Sequence, residues 1–522
     1  MISKVVTERR HPRALGRMLV GDILKSSALR APMQEAIYCV GTGRRISYRQ
    51  LNERCNRLAN GLLALGLPRG TVVAFLCSNR AEILEIYFAV AKAGLVGLPL
   101  NYRLAPKEVE TLIVSMDAEV LICASRFEAT NQHLRETSVN LKHTIWIGDS
   151  PPAGSLQYEQ LLEVASAAEP DVEVNEEDPY YFNLTSGTTG LPKAYTITQY
   201  NSVTLESSMV GLDLRADDVF LTLFPAFGRS GFGLSLLAVL MCARNVLMDF
   251  DPEKTLEVIR VERATFTSIV STMATLLLRQ PQLQAENTKS LRAILFTGSM
   301  LPPAVVEQVR RRMCPNIYEG YGLQETGFLT VSTPTDRVAR PESVGRPVLF
   351  ADLRFVDADG HDVPTGEIGE IIGRSPNTIT GYLNNPEKNA EAFRDGWFHS
   401  GDLGKLDADG YVFICGRVKD MIVSGGQNVY ASEVETALLT LDGVEECAVF
   451  GLPDDTWGEA VSAVLVSSNK AFSPDEVQDR CRDLLAGFKL PRKVFCQTDA
   501  LPRTPTGKVQ KFLLVERYSR IV

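Results

Sequence analysis

The sequence predicts an α/β protein. A large N-terminal domain of layered α/β sheets, carrying a small barrel-like β unit, is followed by a smaller α+β C-terminal domain. Three observations predict this. Helical and strand-like segments alternate between Ser47 and Leu98 and again further on, the pattern of a largely parallel sheet layered with helices. After Pro347 the chain changes to short strand-like runs punctuated by DADG and PTGE, which are turn signals. From Ala431 it returns to helix, strand, helix.

The elements follow in order. YRQLNERCNRLANGLLALG has apolar residues at helical spacing, TVVAFLCSN reads as a short buried strand, AEILEIYFAVAKAG as a second amphipathic helix, and LVGLPL as the next strand. Further strands are predicted at VLICA, TIWIG, VFLTLF and RAILFTG. ADLRFVDADGHDVPTGEIGEIIGRS reads as antiparallel hairpins, and GYVFICGRVKDMIVSGG continues in the same character. SEVETALLTL, CAVFGLP, AVSAVLV and SPDEVQDRCRDLLAG then build the last domain. Ser432 with Glu435 fits a capping box at the first of these helices. The domain boundary is placed between Arg417 and Asp420, giving domains 1–417 and 418–522.

Composition narrows the function. With 522 residues and 45% apolar content the chain has ample core. The net charge of -9 argues against nonspecific nucleic-acid binding. No run is apolar for long enough to span a bilayer, and the first twenty residues lack a signal-peptide pattern. Ten scattered cysteines without a CxxC pair read as free thiols, so a reducing, cytoplasmic location is expected. The five histidines show no zinc-ligand spacing.

The most informative stretch is TSGTTGLPK, Thr185 to Lys193. Closely spaced glycines let backbone N–H groups turn toward an anion, hydroxyls add donors, and lysine adds positive charge. It is not a Walker A loop, because Leu191 and Pro192 separate Gly190 from Lys193 and no Ser or Thr follows the lysine. Six further blocks lie downstream: TGSM, YEGYGLQET, GWFHSGD, GRVKD, VSGGQNVYASEVE and PRTPTGKVQK. Together, and in this order, the seven blocks resemble the adenylate-forming superfamily of acyl- and aryl-CoA synthetases, peptide-synthetase adenylation domains and luciferases.

The resemblance implies two half-reactions. A carboxylate attacks the α-phosphorus of ATP to give acyl-AMP and pyrophosphate, and a thiol then displaces AMP. By resemblance Thr185, Ser186, Gly187, Thr188, Thr189 and Lys193 hold the β- and γ-phosphates, and Glu325 holds Mg²⁺. The alternative for Glu325 is an ordinary solvated glutamate at a helix start. Gly298, Ser299 and Met300 with Glu319, Gly320, Tyr321 and Gly322 form the adenine slot, Tyr321 either stacking on the base or simply packing in the core. Asp402 binds the ribose hydroxyls and Arg417 assists, while His399 and Trp397 read as structural. Lys508 bridges carboxylate and α-phosphate in the first half-reaction. The small domain is then expected to be mobile, turning about Lys419 and bringing Gly425 and Gly426 to the thiol.

Coenzyme A fits best as the acceptor, since LLAGFKLPRKV resembles the CoA-ligase version of that segment. A separate acyl carrier protein is the alternative acceptor, and a chain ending at Val522 carries no carrier domain of its own. Lys489, Arg492 and Lys493 meet the CoA phosphates or form a solvated basic turn. The acid pocket is assigned to Phe227, Gly228, Arg229, Ser230, Gly231 and Gln324, with Phe232 and Gly233 behind them. Small residues beside aromatics suit a planar ring. The expected substrate is therefore an aromatic acid of benzoate or aminobenzoate (anthranilate) type, with a short or medium aliphatic acid as the alternative. Arg229 faces either a polar substituent or solvent. Three positions depart from the family pattern: Gly228 and Gln199 stand where His is usual, and Gln324 where Thr is usual. A monomer or homodimer is expected, and an ATP-binding protein without catalysis is the competing class.

Overall fold

A computed structural model describes residues 17–138, 140–185, 193–298, 301–468, 471–503 and 509–520. Two compact units emerge: Met1–Ser268 with Gln282–Ile294 and Pro376–Asn384, and Ile269–Pro281 with Leu295–Ser375 and Asn385–Val522.

The first unit contains a seven-stranded sheet in the order Leu156–Gln157, His143–Ile147, Ala118–Ala124, Val72–Leu76, Val96–Pro99, Pro179–Thr185, Lys193–Thr198. All neighbours are parallel except the last pair. Strands covered on both faces read as continuous apolar runs, and Val72–Leu76 is buried at every residue. In the same unit Phe266–Ile269, Val219–Thr222, Arg244–Leu247 and Glu35–Cys39 are successive parallel neighbours, and Arg45–Ser47 closes that edge antiparallel. Every strand predicted at VLICA, TIWIG and VFLTLF is present.

The helices show where periodicity misleads. Tyr48–Ala64 is amphipathic as expected and opens with a Ser47–Gln50 capping box. Ala81–Ala93 is not amphipathic, because all thirteen residues are buried. Its acidic positions had looked like a solvent face. Instead, Glu85 accepts two hydrogen bonds from Arg54 at 2.7 and 2.9 Å and one from the Tyr158 hydroxyl at 2.8 Å. Glu82 accepts two from Arg80 at 2.7 and 2.8 Å. Buried charges persist where such bonds satisfy them.

In the second unit, Ile317–Leu323, Gly327–Ser332 and Arg346–Pro347 pair antiparallel. The barrel-like unit expected after Pro347 is an open antiparallel sheet of Asp352–Val356, Gly369–Arg374, Trp397–Leu406, Phe393–Arg394 and Val412–Arg417. MIVSGG does not continue it. A 3₁₀ turn at Val418–Asp420 intervenes, and Met421–Ser424 enters another sheet with Gln427–Tyr430, Gly458–Val466, Glu446–Asp454 and Lys493–Gln497. Alternation along Gly458–Val466 feeds two cores. Val461, Ala463 and Leu465 pack with Val434, Leu438 and Val477, whereas Val464 and Val466 pack with Leu514 and Tyr518. The helix predicted to be capped by Ser432 begins one residue earlier, at Ala431, with no side-chain cap. The Ser432 hydroxyl donates instead to the Cys415 carbonyl.

Candidate active site

In the first unit, Pro179–Thr185 and Lys193–Thr198 form a hairpin in which Thr185 and Lys193 are direct partners. Ser186, Gly187, Thr188 and Thr189 fall within the connection and lie outside the described residues, as do Ser299, Met300 and Lys508. The Lys193 ammonium stands over the Tyr382 ring, 4.8 Å from its centroid. Gly298 is described and exposed at the end of the strand Ala293–Thr297.

Of the expected pocket residues, those from Phe227 to Gly231 lie at the start of the helix Arg229–Leu240, whose N-cap is Gly228. Phe227 is half-buried and meets Tyr102 edge-to-face with centroids 5.2 Å apart. A side chain at Gly228 would have room, since the nearest atom to its Cβ position is the Pro225 carbonyl oxygen at 3.5 Å. At Gly231 it would not, because that oxygen would lie 2.3 Å away. Arg229 resolves its two alternatives against solvent. It is buried, and its Nη2 donates to the Asn377 carbonyl at 3.0 Å. Ser230 is exposed.

The second unit brings three expected nucleotide residues into contact. The Tyr321 hydroxyl donates to Asp402 Oδ2 at 2.8 Å, and Arg417 Nε lies 2.7 Å from Asp402 Oδ1. The strand pairing explains this, because Asp402 and Arg417 are cross-strand partners. Asp402 is buried and its N–H donates to Ser400 Oγ at 2.9 Å. Burial, reinforced by the Asp402 carboxylate, pushes the Tyr321 phenol well above its ordinary range, so it stays a hydrogen-bond donor. Glu319 behaves differently. Its carboxylate is buried and paired with Arg337, and burial outweighs that guanidinium to raise its pKa. Gly320 and Gly322 continue the strand between Glu319 and the turn at 324–326.

Gln324 and Glu325 occupy that turn, which joins two antiparallel strands, so Glu325 is not at a helix start. Gln324 is exposed and Glu325 half-buried. His399 is held between Glu370 at 2.9 Å and Arg394 at 2.6 Å, and Arg374 lies over the Trp397 ring. Lys419 is exposed in the 3₁₀ turn. Gly425 and Gly426 have φ of +58° and +77° at the tip of the hairpin Met421–Tyr430. This two-residue loop needs left-handed residues at both positions. Lys489 is engaged by Glu433 at 2.6 and 2.8 Å, and Arg492 stacks on the Trp457 ring at 3.7 Å. Sequence reasoning missed Tyr102 and Tyr382. The signal for Tyr102 was its place just beyond the carboxyl end of a parallel strand, where ligands bind in such sheets.

Comparison with known proteins gives the class. Residues 24–383 match the AMP-binding enzyme family, and residues 433–508 match its C-terminal domain. The indoleacetate–CoA ligase of Aromatoleum aromaticum is 36% identical over 477 residues, covering 90% of this chain and 92% of that protein. The long-chain-fatty-acid–CoA ligase FadD13 of Mycobacterium tuberculosis is 33% identical over 507 residues, covering 96% and 99%. Among solved structures, the anthranilate CoA ligase AuaEII in complex with anthranoyl-AMP superimposes with a TM-score of 0.87 at 28% identity, covering 96% of this chain and 97% of that one. The protein is of the acyl- and aryl-CoA ligase class, an AMP-forming acid–thiol ligase. The chain belongs to the AMP-binding enzyme family. Among the described residues no helix is long and apolar enough to cross a membrane.

Proposed function

We propose that this chain is an ATP-dependent aryl-acid–CoA ligase that joins an aromatic acid of benzoate or anthranilate type to coenzyme A through an acyl-adenylate. The observation that carries the nucleotide half of the reading is the Tyr321–Asp402–Arg417 contact. It joins residues from three separate sequence motifs, and its buried carboxylate is the kind of paired acceptor that ribose hydroxyls take. Lys193 supplies positive charge to the β- and γ-phosphates, and Lys508 to the oxygens that gain charge as the carboxylate attacks phosphorus. Glu325 offers the hard carboxylate oxygen that Mg²⁺ takes beside substrate phosphates, and the ion, when bound, neutralises phosphate charge. After adenylation the small domain turns about Lys419, and the Gly425–Gly426 hairpin tip meets the thiol.

The ring preference rests on Phe227, braced by Tyr102, beside a helix start at Gly228 that carries no side chain. That combination leaves a flat wall with space next to it. The indoleacetate and anthranilate ligases act on aromatic acids. FadD13 acts on long-chain fatty acids, so aliphatic acids belong in the test. ATP–pyrophosphate exchange over a panel of aromatic and aliphatic carboxylates, followed by AMP release with CoA, decides. Aryl-acid exchange that turns over with CoA is expected. Preference for an aliphatic acid would overturn the substrate class, and exchange without CoA turnover would point to a carrier-protein acceptor.

A further inference from the structure

The strand that carries Lys193 ends the seven-stranded sheet, but a short segment from far along the chain lies against it. Residues 376–384 belong to the first unit although the residues on either side do not. The segment is fastened at both ends. Near its start, Asn201 Nδ2 donates to the Pro376 carbonyl at 2.8 Å, Arg229 donates to the Asn377 carbonyl, and Asn377 Nδ2 donates to the Thr204 carbonyl at 3.2 Å. Near its end, Tyr195 and Tyr382 form an antiparallel bridge, and the Leu383 N–H donates to the Ala194 carbonyl at 2.7 Å. The strap therefore places the Tyr382 ring, 7% exposed, directly under the Lys193 ammonium.

We propose that Tyr382 is a positioning residue for Lys193, its ring face holding the ammonium ready for the ATP phosphates. This rests on reading Lys193 as the phosphate lysine. A lysine on an edge strand has a long rotatable stem, and ordering it on substrate binding costs conformational entropy. A ring at 4.8 Å lies within the range at which its quadrupole attracts a cation. Unlike a carboxylate, the ring orients the charge without neutralising it. The same strap explains the buried Arg229, whose guanidinium clamps Asn377 five residues before the ring.

The test is ATP–pyrophosphate exchange by the full-length enzyme with its best acid, read as KM for ATP. Tyr382→Phe keeps the face and should behave like the wild type. Tyr382→Leu should raise KM for ATP between about 3-fold and about 20-fold. In a Lys193→Met background Tyr382→Leu should add nothing, because the two residues act through one contact. Progressively fluorinated phenylalanines at position 382 keep the shape while draining the ring face, so KM should climb with each fluorine even if the leucine variant does not fold. A flat fluorination series, or full additivity with Lys193→Met, would overturn the proposal while leaving the ligase reading intact. Failure of the wild type to exchange with any acid would overturn that reading, and the proposal with it.

Discussion

The buried Asp402 accepts from Tyr321 and lies beside the partly exposed Arg417, so its charge is shared before any nucleotide arrives. Asp402→Asn keeps the shape and removes the charge. Hydrogen bonds to charged groups contribute about 1.5–3 kcal/mol, so KM for ATP in the exchange assay should rise about 10-fold to 100-fold. A loss confined to stability would remove the ribose role. Gly231 makes a different case, one of backbone space. A Cβ there would lie 2.3 Å from the Pro225 carbonyl oxygen and 2.6 Å from that of Phe224. Gly231→Ala should therefore destabilise by about 1–3 kcal/mol through backbone displacement, seen as a lowered denaturant midpoint. The sequence showed which residue types stand at these positions, but not their partners. Arg229 had two open orientations, and a buried carbonyl 148 positions away chose between them. Gln199, where the family usually has His, accepts from the Val20 N–H at 3.0 Å and donates to the Ala91 carbonyl at 3.3 Å. It is a tie between elements, which explains the departure without any change in chemistry.

Among the elements, the hairpin tip at Gly425–Gly426 is the one proposed to meet the thiol. The Gly425 N–H donates to the Trp457 carbonyl at 2.8 Å, and a Cβ at Gly425 would lie 2.8 Å from the indole ring. Gly425→Ala should distort the tip on two counts, left-handed strain and collision with the ring. AMP formation with CoA should slow at least about 10-fold while pyrophosphate exchange persists, since a displacement near 1 Å suffices for losses of this size. Equal loss of both activities would detach the tip from the thiol step. The elements were the most legible level of the sequence, because burial on both faces leaves an unbroken apolar run, as in Val72–Leu76. Errors arose where tertiary contacts overrode local pattern. Ala81–Ala93 looked two-faced until Arg54 and Arg80 were found neutralising its glutamates. Ser432 looked like a cap until its hydroxyl was found on Cys415. For Glu325 a helix start stood only as the alternative to a metal ligand, and a three-residue turn between short strands leaves little period to read.

At the scale of the molecule, paired carboxylates, buried at Glu82 and less so at Glu262 and Glu169, set the response to acid. Burial pushes the Glu82 carboxyl up, but the hydrogen bond and charge of Arg80 more than reverse it, and its pKa is lowered. Glu169 is likewise lowered, burial being outweighed by Lys92 and Asn52, and Glu262 by Arg45 and Arg244. A carboxylate lowered in the folded state contributes stability above its unfolded value of 4.5, and that contribution disappears as pH falls through the folded pKa. Glu319 has the opposite sign. Its raised pKa means stability is lost as pH climbs from 4.5 toward the folded value. Among the described residues the carboxyls with lowered pKa outnumber the one that is raised, which predicts a net fall in stability on acidification. The urea midpoint should therefore drop as pH falls below about 4.5, where the unfolded state binds the extra protons. Glu82→Gln should flatten that drop, because an uncharged amide has no proton to take up. Glu319→Gln should remove the opposing gain in stability that acidification brings above 4.5. A midpoint unchanged over this range, or a Glu82→Gln variant with the wild-type slope, would show that the ion pairs of Ala81–Ala93 satisfy buried charge without adding to the pH dependence of the fold.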